Sequence, residues 1–384
     1  MNKIKVCVVV ASRANYGRIK YVLKAVQDNP AMELQLIVGA STLLDRFGKA
    51  INIIKEDGFN PVKALHYIVE GETLLTQAKS TGMGIIELSS ALDELSPDFV
   101  ISVADRFETM ATAVSASYLN IPLIHVQGGE VSGNIDDRVR HAITKLADFH
   151  FVATEKSRDR VIRMGEKPSN VFNYGCPAMD VIANSDTHIS NEIMSKYGGV
   201  GQDIDWDKPY ILMIQHPVTT SYGDGLEQVT ATLKALIKFE NYQKVVLWPN
   251  SDAGGEDVSK GIRVFRENNM KSNFHFYKNF SAEDFIRVLA NASCAVGNSS
   301  SFLREGAFLG VPCVSIGDRQ NMREHSDNVD FCSYNTNDIS EAISLQLKHG
   351  KYEQSDLFGD GNAGERIVRE ISNLKYEVLK GIEY

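Results

Sequence analysis

The chain has 384 residues, of which 43% are hydrophobic and 23% charged, with a formal net charge of −9. That length holds two domains of ordinary size, and the composition is that of a globular protein. The negative balance argues against nucleic acid or a membrane surface as a partner, so an anionic ligand needs a locally positive site.

The N-terminal run "IKVCVVVAS" reads as a first β-strand, because no small-x-small cleavage pattern follows it and Arg13 and Asn15 come directly after. "YGRIKYVLKAVQ" is an amphipathic helix, "MELQLIVGA" a strand, and residues 74–94 a further helix. "DFVISVAD", "IPLIHVQGG" and "FHFVAT" follow as strands, alternating with the helices "RFETMATAVSASYL", "IDDRVRHAITKLAD" and "EKSRDRVIRMG". The strand runs are continuously apolar, which marks strands buried on both faces of a parallel sheet. Residues 178–208 are polar and Gly-rich and read as a linker with a surface loop. The alternation then restarts with "YILMIQHP", a helix near 225–240, "KVVLWPN", a helix near 256–268, "FHFYKN", "SAEDFIRVLANA", "CAVGNSS", a short helix after Ser301, and "PCVSIG". "GERIVREISNLKYEVLKGI" reads as a long terminal amphipathic helix.

The expected fold class is therefore α/β, with two doubly wound, Rossmann-like domains and a cleft between them. Residues 1–180 form the first domain and 181–365 the second, and 366–384 form the terminal helix packing back on the first. Five dispersed cysteines, Cys7, Cys176, Cys294, Cys313 and Cys332, fit reduced thiols and a cytoplasmic location. No apolar run approaches the length of a membrane span.

In such sheets ligands bind at the C-terminal ends of the strands. Seven successive strand exits carry polar groups: Arg13 and Asn15; Asp105 and Arg106; Gln127 and Glu130; His216; Asn250 and Asp252; Asn298, Ser299 and Ser300; and Asp318 with Arg319. Any one of these reads as a loop or cap residue, but the whole set points to a site. The serines after Asn298 open a helix whose unpaired N–H groups suit a phosphate, in a chain with neither a Walker motif nor a GxGxxG after its first strand. Arg13 adds positive charge, and Glu305 suits ribose hydroxyls, or else the helix dipole. Asp105, Glu130, Asp136 and Asp137 form a carboxylate-rich set for acid–base work, or an ion-paired helix start. Asn134 is placed to cap that helix, with Asp136 facing Arg140 and Asp137 facing His141 at i,i+4. His216, fixed by Pro217, suits an acid, a base or a phosphate ligand. No His/Cys spacing resembles a metal site, and no cofactor is expected.

The motifs "SRANYGRIK", "ADRFETMATA", "HVQGGEVSGNIDDRVRHAITKLADFHF", "GCPAMD", "QHPVTT", "PNSDAGG", "GNSSSFLREGAFLGVPCVSIGDRQ" and "GDGNA" run in order over nearly the whole chain. Together they resemble the hydrolysing UDP-N-acetylglucosamine 2-epimerases of sialic- and legionaminic-acid pathways, including enzymes acting on UDP- or GDP-N,N'-diacetylbacillosamine. The resemblance implies a GT-B fold. It implies a reaction in which UDP leaves C1 as the C2 proton is removed, and water and a proton then add to the glycal to give a manno sugar. It makes Asp105, Asp136 and His216 catalytic, and Arg13, Arg106, Asn250, Ser299, Ser300 and Glu305 nucleotide-binding. It also implies a homo-dimer or homo-tetramer. Three positions depart from the family: Ala104 stands where glycine is usual, Asn15 where an acid is usual, and Gln127 replaces a glutamate. An amide cannot act as a base, so either Gln127 hydrogen-bonds, or the base is elsewhere, or the substrate differs, as with a sugar whose 4-acetamido group Gln127 would face. A GT-B glycosyltransferase and a non-catalytic nucleotide-sugar binder share the same cleft and stay open as alternatives.

Overall fold

Each apolar run becomes a strand of a parallel sheet because flanking helices bury both of its faces. The computed structural model describes residues 3–71, 73–133, 135–218, 221–249, 254–269 and 272–383. Two compact units emerge: Met1–Glu130 with Ile135–Ala183 and Phe358–Tyr384, and Val131–Asn134 with Asn184–Leu357.

The first unit runs β1 (Ile4–Val10), α1 (Arg13–Asp28), β2 (Met32–Gly39), α2 (Ile51–Glu56), β3 (Lys63–Leu65), α3 (Leu74–Leu95), β4 (Phe99–Val103) and α4 (Phe107–Tyr118). It continues with β5 (Leu123–Val126), α5 (Asp136–Leu146), β6 (Phe149–Val152), α6 (Glu155–Arg163), β7 (Val171–Asn173) and α7 (Ala178–Ala183). The strand order is β3-β2-β1-β4-β5-β6-β7, parallel throughout. The winding direction reverses between β1 and β4, so their C-terminal ends are the topological switch point.

The second unit comprises α8 (Asn191–Met194), β8 (Gly199–Gly201), β9 (Tyr210–Ile214), α9 (Gly225–Leu236), β10 (Gln243–Leu247), α10 (Gly255–Asn268), β11 (Phe274–Tyr277), α11 (Ala282–Ala290) and β12 (Cys294–Gly297). It closes with α12 (Ser300–Leu303), α13 (Glu305–Phe308), β13 (Cys313–Ile316), β14 (Val329–Cys332) and α14 (Thr336–His349). Its order is β14-β13-β12-β9-β10-β11-β8, so the switch lies between β9 and β12. Among the described residues only β8 pairs antiparallel, on the β11 edge. The stretch read as a linker thus holds two short helices and this strand. Gly199 and Gly201 are needed there, because a Cβ would lie 2.2 Å from His275 Nε2 at the first and 2.2 Å from the Phe274 carbonyl oxygen at the second. No described helix is long and apolar enough to cross a membrane.

The terminal helix is shorter than its amphipathic pattern. α15 (Ala363–Ile371) packs Ile367, Val368 and Ile371 into the first unit's core. The buried Asp180 carboxylate caps it, accepting from Ala363 N at 2.9 Å and Gly364 N at 2.6 Å. Beyond Ile371 the chain runs irregularly, held by tertiary contacts. Lys380 Nζ donates to the Lys145 carbonyl at 2.9 Å and to the Ala147 carbonyl at the C-terminus of α5, and it pairs with Glu166 at 2.6 Å. Glu166 also meets Lys145 at 2.5 Å and His150 Nε2 at 3.0 Å. Burial would raise its pKa, but His150, Lys145 and Lys380 outweigh that and lower it to about 2.

A carboxylate depressed from about 4.3 contributes stability that is present above its unfolded pKa and lost as pH falls toward its folded one. Glu166→Gln is therefore expected to cost roughly 3 kcal/mol at neutral pH. Urea midpoints of the two proteins should converge between about pH 4 and pH 2. A gap unchanged at low pH would contradict the charge assignment.

Candidate active site

In the first unit the β1 and β4 exits are tied together. Ser12 caps α1, its side chain accepting from Asn15 N at 3.2 Å. Arg13, half-buried, opens that helix. Asn15 is 1% exposed and donates from Nδ2 to the carbonyl of Val103, the last residue of β4, at 3.3 Å. The acid usual at this position has no hydrogen to give that carbonyl, so the amide makes a bond a carboxylate cannot.

Ala104 follows with φ +64, the left-handed region that glycine enters freely. An alanine there costs roughly 1 kcal/mol, which accounts for the family's preference for glycine. The turn presents Asp105 and Arg106, and Arg106 Nε pairs with the buried Glu108 at 3.3 Å.

Beyond β5, Gln127 also has positive φ, +67, and is 1% exposed. Its side-chain amide donates to the Cys176 Sγ, and its Oε1 has no hydrogen-bond partner among the described residues. The contact ties the loop after β5 to the Cys176 segment. Gly128 and Gly129 are crowded: a Cβ would lie 2.9 Å from His125 Nδ1 at the first and 2.4 Å from the Ser157 carbonyl oxygen at the second.

Arg140 of α5 is the hub. Its side chain is 1% exposed and ion-pairs with both Asp105 and Asp137, and its Nη1 donates to the Glu130 carbonyl at 2.7 Å. Burial alone would lower its pKa, but Asp105, then Glu130 and Asp137, reverse the balance and hold it protonated. The i,i+4 reading paired Arg140 with Asp136. The guanidinium also reaches Asp137 at i,i+3 and crosses to the β4 exit. Asp136, half-buried, opens α5, and Glu130 is buried beside the helix. The residue at the N-cap position is Ile135, without a side-chain cap, and Asn134 lies outside the described residues.

In the second unit Asn298 performs the same stitching. It is fully buried, accepts from His216 N at 2.7 Å and donates to the His216 carbonyl at 2.9 Å. Gln320 Nε2 holds its own carbonyl at 3.0 Å. Gly297 before it has φ +138, and a Cβ there would lie 1.9 Å from the Ile214 carbonyl oxygen. Arg319 Nη1 donates to the Pro217 carbonyl at 2.6 Å, bracing the turn that carries His216.

Ser299 caps α12, and the N–H groups of Ser299 and Ser300 precede any intrahelical acceptor. The expected single helix is two four-residue pieces broken at Arg304, so Glu305 opens the second piece and is not in the first turn after the serines. Asn250 and Asp252 lie outside the described residues.

Sequence reasoning named Arg140 only as an ion-pair partner and gave His125 no role. The available signals were an arginine on the apolar-flanked "DDRVRHAI" helix and a histidine inside a strand buried on both faces.

A family model described as UDP-N-acetylglucosamine 2-epimerase matches residues 24–372. The UDP-N,N'-diacetylbacillosamine 2-epimerase (hydrolyzing) of Legionella pneumophila is 34% identical over 98% of this chain and 96% of its own. The GDP/UDP-N,N'-diacetylbacillosamine 2-epimerase (hydrolyzing) of Campylobacter jejuni is 28% identical over 92% and 90%. The crystal structure of the Neisseria meningitidis UDP-GlcNAc 2-epimerase bound to UDP-GlcNAc superposes with a TM-score of 0.80 at 17% identity, covering 97% of this chain and all of that one. With two Rossmann-like sheets of the GT-B type and a match along nearly its whole length, the chain belongs to the UDP-N-acetylglucosamine 2-epimerase family.

Proposed function

We propose that this chain is a hydrolysing 2-epimerase of a nucleotide-linked 2-acetamido sugar, UDP-N-acetylglucosamine or a UDP- or GDP-linked 2,4-diacetamido sugar. It releases the nucleoside diphosphate and the free manno-configured sugar, for nonulosonic acid synthesis. The observation that carries the chemistry is Arg140, which draws Asp105 and the acidic start of α5 to one point at a switch-point edge. The names and near full-length match of the Legionella and Campylobacter relatives support the substrate class and the hydrolytic outcome.

The C2 hydrogen of the sugar is not acidic, so C1–O cleavage leads and builds positive charge on the ring. Carboxylates at Asp105, Asp136 and Glu130 stabilise that charge and take the C2 proton as the diphosphate leaves with the C1–O electron pair. The product of this half is a 2-acetamidoglcal-type alkene. Water then adds to C1 and a proton returns to C2 on the opposite face, so atoms balance with no external oxidant or reductant. Gln127, a neutral amide turned into the protein, holds the loop and transfers no proton. Ser299, Ser300, Arg13 and Arg106 hold the nucleotide diphosphate, with Asn250, Asp252 and Glu305 on the nucleoside side. His216, its backbone fixed by Asn298, protonates the departing phosphate oxygen. The enzyme works in the cytoplasm as a homo-oligomer.

Incubation with each candidate nucleotide sugar in deuterated water is expected to yield free mannosamine-type sugar with deuterium at C2, read by NMR. A nucleotide-linked manno sugar would show a non-hydrolysing epimerase, and glycosyl transfer without C2 exchange a transferase.

Asp105→Asn and Asp136→Asn are each expected to lower kcat by at least about a hundredfold with little change in KM. Wild-type turnover in either variant would remove that residue from the mechanism.

Ser300→Ala is expected to weaken UDP binding by about tenfold in calorimetry, the loss of one hydrogen bond to a charged group. An unchanged Kd would place the diphosphate elsewhere.

A further inference from the structure

His125 is the fully buried third residue of β5, and the mechanism makes no use of it. Its Nε2 lies 2.9 Å from the Ala104 carbonyl oxygen and its Nδ1 lies 3.2 Å from Thr144 Oγ1. A carbonyl only accepts, so the hydrogen sits on Nε2, and Nδ1 faces the Thr144 hydroxyl, whose single hydrogen is shared between Nδ1 and the Arg140 carbonyl 3.0 Å away. Burial pushes the imidazole pKa down to about 3, so the ring stays neutral at working pH and keeps that single tautomer. A Cβ at Gly128 would lie 2.9 Å from Nδ1 and 3.0 Å from Thr144 Oγ1, so glycine leaves the room in which the ring and the threonine meet.

The two contacts have different addresses. Ala104 is a non-glycine residue in left-handed conformation, immediately before Asp105. Thr144 is on α5, the helix that carries Asp136 and Arg140. We propose that His125 is a positioning residue: its Nε2–H restrains the strained Ala104 turn, and its Nδ1 receives α5 through Thr144, so that Asp105 meets Arg140 in register. The proposal rests on the reading of Asp105 as an acid–base residue.

A glycine at Ala104 removes the strain that the histidine restrains, and this makes the role separable from mere packing. His125→Leu is expected to lower kcat by at least about tenfold while KM for the turned-over nucleotide sugar stays within about threefold. Adding Ala104→Gly to His125→Leu is expected to recover at least about threefold of that loss, a coupling that a generally loosened core would not give. His125→Gln, whose amide N–H can still donate, should keep more activity than His125→Leu. Wild-type kcat in folded His125→Leu, or no recovery on adding Ala104→Gly, overturns the proposal.

Should His125→Leu fail to fold, 15N-labelled histidine in the wild-type protein gives the reading. A neutral Nε2–H tautomer, constant between about pH 6 and 8, is expected. An Nδ1–H tautomer, or a ring titrating in that range, refutes it. Asp105→Asn assayed in parallel separates the two failures. If Asp105→Asn turns over normally, the catalytic reading falls. If Asp105→Asn is inactive and His125→Leu is not impaired, only the positioning role falls.

Discussion

One buried guanidinium organises the acidic part of this molecule. Arg140 leaves water to satisfy Asp105, Asp137 and the Glu130 carbonyl at once, and these sit on three different segments of the first unit. A buried charge without partners costs several kcal/mol, so the exit of β4, the loop after β5 and the start of α5 are each held where Arg140 requires them. The arrangement also keeps carboxylates close together that would otherwise repel. Chemistry that needs several acid–base groups around one carbon benefits from that constraint more than stability does.

The same economy appears at both switch points. Strands that diverge at their C-terminal ends leave backbone groups without ladder partners, and in each unit an asparagine amide replaces the missing rung. Asn15 does so between β1 and β4, and Asn298 between β9 and β12. At Asn298 the amide both accepts and donates, and at Asn15 the Nδ2 donation alone spans the gap. Asn15 therefore fits this chain where a carboxylate is usual. Gln127, likewise in place of an acid, donates to a thiol inside the fold.

The sequence is legible where physics is local. Continuously apolar runs such as "VCVVV" and "YILMI" become central strands, and polar groups stand at the exits where a parallel sheet exposes them. The short edge strands β3, β7, β8 and β14 were not placed, since three or four residues carry no periodicity, and Gly199–Gly201 reads as loop. The terminal segment keeps a helical pattern past Ile371 but is drawn out by Lys380 reaching the carbonyls that end α5 and Glu166. The break at Arg304 is likewise tertiary: Phe302 and Leu303 on one side and Ala307 on the other are all buried. The role of His125 depends on a left-handed turn 21 residues away, which no spacing rule reveals.

The most direct test of the central claim is a double-mutant cycle on kcat/KM between Asp105→Asn and Arg140→Met. If the guanidinium acts by organising the carboxylate, the double variant is no slower than the slower single one, and the coupling reaches about 2 kcal/mol. If the two losses multiply, Asp105 and Arg140 act independently, and the account of the site as one charge-locked unit is wrong.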